Sequence, residues 1–135
     1  MHENRMTNLE KFAMSVEQLQ FAVNVAAGSP LYLEGTIQCF EVCFELAWKA
    51  MKEALLESKG VDARQPKPVL QEAFIAGWIK DETVWLSMLN DRNNTSHTYN
   101  KKLAEEIYEH IHGIYFIELK RMLEVLKKEK NGKKN

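Results

Sequence analysis

The sequence is poor in the residues that interrupt helices. It has 6 glycines and 3 prolines among 135 residues, and both types are clustered. Glycine and proline punctuate secondary structure, so their scarcity leaves long segments in which a helix can continue. No segment alternates apolar and polar residues for long enough to build a sheet. These absences exclude a sheet-based fold and favour an all-α protein.

Long apolar runs and an excess of one charge are also absent. No segment approaches the roughly 20 apolar residues of a membrane-spanning helix, and the N-terminal MHENRMTNLEKF has no signal-peptide apolar stretch. The formal net charge is −1, whereas a dedicated DNA-binding domain is usually strongly basic. We therefore expect a cytoplasmic protein without membrane association or sequence-specific DNA binding. A local site for a nucleotide or RNA stays open.

Cysteine is scarce too. The two cysteines, Cys39 and Cys43, are four positions apart within a helical pattern, so they share one helix face. Free cysteine usually packs as a small hydrophobic side chain. We expect that role here in preference to a disulfide, and no further ligands suggest a metal site.

The apolar residues recur at steps of three and four, which predicts helices in a single domain over residues 1–135. The fold class that follows is all-α, an up-and-down bundle of four to five helices. The first predicted helix covers 8–27, with a capping box at Thr7 and Glu10. A second helix lies within 31–58, and the longest loop follows at 58–68. A short third helix runs from Pro68 to Gly77, and a fourth begins at Asp81 or Glu82.

The last predicted helix begins at Asn100 as N-cap. About 28 residues would span roughly 42 Å, at 1.5 Å per residue. A helix this long in a small domain often extends into a partner or pairs with its own copy. The lysine-rich segment at about 127–135 is expected to be a basic, frayed tail.

The segment LNDRNNTSHTYNKK, residues 89–102, is richer in hydrogen-bonding side chains than a loop needs. Arg92 offers a planar, always charged fork that fits phosphate oxygens, and His97 can take and give a proton near neutral pH. Without a metal, such a pair is suited to RNA cleavage: the base activates the 2′-hydroxyl, and the cation stabilises charge in the transition state. The spacing alone leaves a purely structural role open.

Helix geometry adds a condition. On an unbroken helix, Arg92 and His97 would lie about 140° apart. The helix must therefore break near residues 98–100, or two chains must combine their motifs in one groove. The sequence has no P-loop, dinucleotide fingerprint or H-E-x-x-H motif.

Two segments resemble a known family. IQCFEVCFELAWKAMKEALLESKG (37–60) and GWIKDETVWLSMLNDRNNTSHTYN (77–100) are similar to the signatures of the small HEPN-type, HepT-like proteins, also known as nucleotidyltransferase substrate-binding proteins. The R-x(4)-H-x-Y motif of that family is matched by Arg92, His97 and Tyr99, with Thr98 as the spacer. The resemblance covers nearly the whole chain.

The resemblance implies the toxin of a toxin–antitoxin pair. Such proteins are homodimeric helical bundles that cleave RNA without a metal or other cofactor. The implied partner is a minimal nucleotidyltransferase antitoxin, which uses ATP and Mg²⁺ to transfer AMP to the motif tyrosine. Tyr99 is then the modification site, and Arg92 and His97 are the catalytic residues. The added phosphate would pair with the Arg92 cation, which would otherwise bind the phosphate of the substrate.

Other residues have alternative interpretations. Glu41 or Glu45 would orient Arg92, and Glu45 is the favoured one of the two; the alternative is that both are solvated. Asn93 would either bind phosphate or hold the helix end. His110 and His112, two apart on a helix, face different directions, which argues against a shared metal. Two other functions stay open: a non-catalytic subunit that presents a nucleotide or substrate to the nucleotidyltransferase, and a helical dimerisation module.

Overall fold

The computed structural model describes residues 6–25, 30–97 and 99–133, and within them it contains helices and no strand. In chain order the elements are α1 (Asn8–Asn24), α2 (Pro30–Lys59), α3 (Pro66–Ile75), α4 (Glu82–Asn93), a 3-10 turn (Thr95–His97), α5 (Lys101–His110), a π-helical turn (Ile111–Tyr115) and α6 (Phe116–Lys133). The last three of these elements form one helical rod, so the predicted all-α bundle of four to five helices is confirmed.

Three of the predicted helix starts are confirmed by their caps. Thr7 and Glu10 form the reciprocal capping box, with N–H···O distances of 2.8 and 3.1 Å. The side chains of Asp81 and Asn100 accept hydrogen bonds from backbone N–H groups two and three residues further on, at 3.1 and 3.2 Å. These side chains satisfy N–H groups that have no partner within the helix.

Other boundaries differ from the predictions. Helix α3 begins at Pro66, not at Pro68, because the fixed φ of a proline suits the first helical position and its missing N–H needs no partner there. The loop is consequently shorter than expected, and Gly60 ends α2 with a φ of 68°. Gly77 ends α3 as predicted, with a φ of 86°. Helix α1 ends at Asn24, short of the predicted end at residue 27, which lies outside the described residues.

The core is built around α2, which contacts every other helix of the bundle. Aromatic side chains fill its centre: the rings of Phe40 and Tyr115 are stacked with centroids 5.3 Å apart, and Phe44 lies 6.2 Å from Trp85. Trp48, Trp85 and Tyr115 are buried. These aromatic residues therefore pack in the core, and none is available to stack on a base.

The last helical rod departs from its prediction in two ways. Its helix is interrupted by the π-helical turn, and it continues to Lys133. The expectation of a frayed tail is thus wrong for residues 127–133, because Leu123 and Leu126 are buried against the core and extend the helix. None of the described helices is long and apolar enough to cross a membrane.

Candidate functional site

Arg92 lies in the last turn of α4 and reaches across to α2. One terminal nitrogen of its guanidinium forms an ion pair with Oε1 of Glu45, and the other donates to Oδ1 of Asn93 at 3.1 Å. The side chains of Arg92 and Glu45 are 27% and 30% exposed, so the pair is at the surface but partly shielded. The structure thus brings together three of the residues singled out from the sequence, and Asn93 contacts the guanidinium itself.

The carboxylate of Glu45 is held in its charged form. Burial opposes its ionisation, but the indole N–H of Trp48 and the charge of Arg92 outweigh burial and lower the pKa of Glu45 below its ordinary value. The indole has no hydrogen bond of standard geometry within the described residues, so the positive charge of Arg92 is the firmer cause. Lys49, one turn further along α2, lies 3.5 Å from the same carboxylate.

Helix α4 ends earlier than predicted. The break comes at Asn94, whose φ and ψ are −98° and 3°, and not at residues 98–100. The hydroxyl of Thr95 lies 2.8 Å from the carbonyl oxygen of Arg92 and 2.9 Å from Oε2 of Glu41. A hydroxyl has one proton, so at any moment it donates either to the carbonyl at the helix end or to Glu41. Glu41 and Glu45 of α2 therefore both contact the end of α4.

His97 and Tyr99 lie beyond this break and form a second group. His97 closes the 3-10 turn and is exposed, and its ring meets that of Tyr99 edge-on with centroids 6.0 Å apart. Tyr99 is 85% exposed. Thr98 lies outside the described residues. Within the described residues no hydrogen bond or ion pair joins Arg92 to His97, so the two groups are neighbours in the chain but are separately held.

A shallow groove of about 360 Å³ opens beside Arg92. Its lining combines apolar side chains with the charged pair: Glu41, Val42, Glu45, Leu46 and Arg92. A guanidinium has five N–H donors, and the contacts to Glu45 and Asn93 use one on each terminal nitrogen. Capacity therefore remains for the oxygens of a phosphate at this groove.

The structure also contains a buried polar network that was missed from the sequence. Oδ2 of Asp91 accepts hydrogen bonds from the Tyr115 hydroxyl at 2.7 Å and from Nδ1 of His110 at 2.8 Å. Ser87 lies 2.6 Å from the same hydroxyl. Burial, opposed by Ser87 and reinforced by Asp91, raises the pKa of Tyr115. One signal was present: Asp91 continues the buried stripe of Trp85 and Met88 at steps of three.

The described residues provide no group of three or more His, Cys, Asp and Glu side chains that could hold a metal ion. His112 contacts the carbonyl oxygen of Val23 at 3.2 Å, away from the His110 network. Cys39 and Cys43 are free. Cys43 is fully buried, and burial raises its pKa to about 12. Cys43 thus packs as a small hydrophobic side chain, as predicted.

The helices and their packing define a HEPN-type helical bundle. Residues 6–128 match the family model described as nucleotidyltransferase substrate binding protein like, and the chain belongs to that family. A Haemophilus influenzae protein named "Probable ribonuclease HepT" is 35% identical over 99 residues, which are 70% of this chain and 67% of the relative.

Two solved structures have the same fold. A Thermus thermophilus protein superposes with a TM-score of 0.81 at 31% identity, covering 85% of this chain and 98% of that chain. A Haemophilus influenzae protein superposes with a TM-score of 0.76 at 27% identity, covering 88% of this chain and 98% of that chain. Its structure is described as revealing the fold of a substrate binding domain of a nucleotidyltransferase.

Proposed function

We propose that this chain is the toxin of a toxin–antitoxin pair, a metal-independent endoribonuclease that a partner nucleotidyltransferase silences by transferring AMP to Tyr99. The observation that carries the proposal is the position of Tyr99: its ring is 85% exposed and lies against the imidazole of His97. A modifying enzyme can reach it, and a group attached to it stands beside the base. The ribonuclease name of the Haemophilus influenzae relative supports the same function.

In the proposed reaction, His97 takes the proton of a ribose 2′-hydroxyl, and the oxygen attacks the adjacent phosphorus. The bond to the 5′-oxygen breaks, that oxygen takes up a proton, and the products are a 2′,3′-cyclic phosphate and a 5′-hydroxyl. Arg92 offers its guanidinium to the phosphate oxygens, where negative charge increases in the transition state. Glu45 and Asn93 hold the guanidinium at the groove.

His97 and Arg92 lie in separate elements, the 3-10 turn and α4, and within the described residues no hydrogen bond or ion pair joins them. A homodimer that faces two such segments across one groove would supply two cations and two bases to one RNA strand. The exposed position of His97 and the open groove at Arg92 are compatible with this arrangement.

Silencing follows from charge and space. The Tyr99 hydroxyl attacks the α-phosphorus of ATP in the partner's Mg²⁺-dependent reaction, loses its proton, and pyrophosphate leaves. The resulting phosphodiester adds a negative charge and a nucleoside next to His97. It competes with substrate phosphate for the Arg92 guanidinium. Neither ATP nor a metal is then a cofactor of this chain itself.

Cleavage of a labelled RNA in EDTA tests the nuclease function. The wild-type protein is expected to cut, and His97→Ala is expected to lose activity by a factor on the order of 10²–10⁴, the usual contribution of an acid–base group. His112→Ala is the matched control, because His112 lies in another cluster. Equal rates for the wild type and His97→Ala would exclude His97 as the base.

A second function is favoured by a specific observation. The guanidinium of Arg92 keeps free N–H donors at the groove, and within the described residues no hydrogen bond or ion pair joins it to His97. The groove can therefore bind an anion without chemistry, as in a subunit that presents a nucleotide or substrate to a nucleotidyltransferase. The description of the solved Haemophilus influenzae structure as a substrate binding domain points the same way. This alternative predicts a stable complex with the nucleotidyltransferase, no RNA cleavage, and healthy growth of cells that express the chain alone.

A further inference from the structure

We propose that Asp91, held by His110 and Tyr115 across the π-helical turn, is a positioning residue that fixes Arg92 at the phosphate groove. The inference deepens the proposed function, because it assigns three further residues to the same site. Asp91 is buried in the last turn of α4 and directly precedes Arg92. Successive residues of a helix point about 100° apart, so one faces the bundle interior and the other faces α2.

A buried aspartate at this position is unfavourable by itself. The C-terminal end of a helix carries partial negative charge, and burial removes the hydration of a carboxylate. Two donors on one oxygen compensate: the Tyr115 hydroxyl at 2.7 Å and Nδ1 of His110 at 2.8 Å. Because a carboxylate only accepts hydrogen bonds, Nδ1 carries the proton and Nε2 is left on the outer side of the half-exposed imidazole.

The π-helical turn makes this double contact feasible. On a regular α-helix, positions 110 and 115 would lie about 140° apart and could not reach one oxygen. Here the N–H of Phe116 bonds to the carbonyl of Ile111, five residues back. Such a turn brings residues five apart onto nearly the same face. The rings of His110 and Tyr115 have centroids 5.5 Å apart, and both side chains reach Asp91.

The contacts therefore fix the end of α4 from two sides. Inside the bundle, Asp91 ties it to the π-helical turn, and outside it Glu45 holds the guanidinium of Arg92. Two neighbouring residues, on different faces of the helix end, are thus each held by a contact to another helical element. If the inner contact is lost, the helix end can rotate or fray, and Arg92 leaves the position set by Glu45.

Three variants test this role. His110→Ala and Tyr115→Phe each remove one donor. His110→Asn keeps an N–H donor near the position of Nδ1.

Two quantities are measured on each variant: the NMR signals of the Arg92 guanidinium, assigned by their loss in Arg92→Ala, and kcat and KM for RNA cleavage in EDTA. We expect His110→Ala and Tyr115→Phe to shift or broaden the Arg92 signals and to lower kcat about 10–100-fold with KM little changed. His110→Asn is expected to restore both quantities.

Unchanged Arg92 signals in folded His110→Ala and Tyr115→Phe proteins would overturn the proposal. A loss of kcat that His110→Asn does not restore would overturn it as well. If one of these two variants does not fold, the other decides the matter. If the wild-type protein does not cleave RNA, the proposed function fails, but the Arg92 signals still decide whether Asp91 and its partners position the guanidinium.

Discussion

Arg92 and Glu45 form an ion pair between α4 and α2, although they are 47 positions apart in the sequence. The pair holds a guanidinium at a groove without placing it in the core. It also sets the charge of that groove, because Glu45 offsets the cation that a phosphate would meet. Glu45 therefore has two opposing effects: it orients Arg92, and it competes with the substrate.

Replacing Glu45 with alanine separates these effects. Because both side chains are about 30% exposed, we expect a small loss of folding stability, about 1 kcal/mol or less. We expect kcat to fall about 10-fold, a larger effect than the loss of stability, because the guanidinium is no longer oriented. Chemical denaturation and RNA cleavage in EDTA measure the two quantities.

Glu105→Ala is the matched control for this variant, since Glu105 is an exposed glutamate of α5. It should leave both quantities unchanged. A Glu45→Ala protein that cleaves RNA faster than the wild type would show that competition for Arg92 outweighs its orientation.

The lowered pKa of Glu45 predicts a pH dependence of stability. A carboxyl whose pKa is lower in the folded protein stabilises the fold above its unfolded pKa, about 4.3 for glutamate. That contribution is lost as the pH falls through the lower folded pKa. The difference in unfolding free energy between wild type and Glu45→Gln should therefore be present at pH 7 and shrink below about pH 4. A difference that grows on acidification would contradict the ion pair.

The parts of this molecule that could be predicted from its sequence are those set by local chemistry. The capping box at Thr7, the N-cap at Asp81 and the glycine stop at Gly77 depend on residues within one or two turns. Their side chains or backbone angles act directly on the neighbouring helix end. Each was correctly placed from the sequence.

The contacts between helices could not be predicted in the same way. Asp91 meets Tyr115 only because a π-helical turn of five residues interrupts the last helix, and no proline or glycine pair announces that turn. The break after Arg92 was predicted too late, and the hydroxyl of Thr95 at that break reaches Glu41 on another helix, a contact that local spacing does not reveal. The R-x(4)-H-x-Y spacing predicted the site residues, while packing determines their partners.

The burial of Cys43 predicts its reactivity. The side chain is fully buried and its pKa is raised to about 12, so almost no thiolate exists at neutral pH. In a Cys39→Ser background, we expect a thiol reagent to label Cys43 only when the protein unfolds. Mass spectrometry after a short exposure, with and without denaturant, measures this. Rapid labelling of the native protein would place Cys43 outside the core.

We propose Tyr99 as the residue through which a nucleotidyltransferase silences this chain. The most direct test measures the intact mass and the RNA cleavage rate of the same purified sample, for wild type, Tyr99→Phe and the control Tyr108→Phe, each co-expressed with the nucleotidyltransferase. We expect wild type and Tyr108→Phe to carry AMP and not to cut, whereas Tyr99→Phe should have an unmodified mass and cut RNA. A Tyr99→Phe protein that carries AMP, or that is unmodified and equally silent, would contradict this proposal.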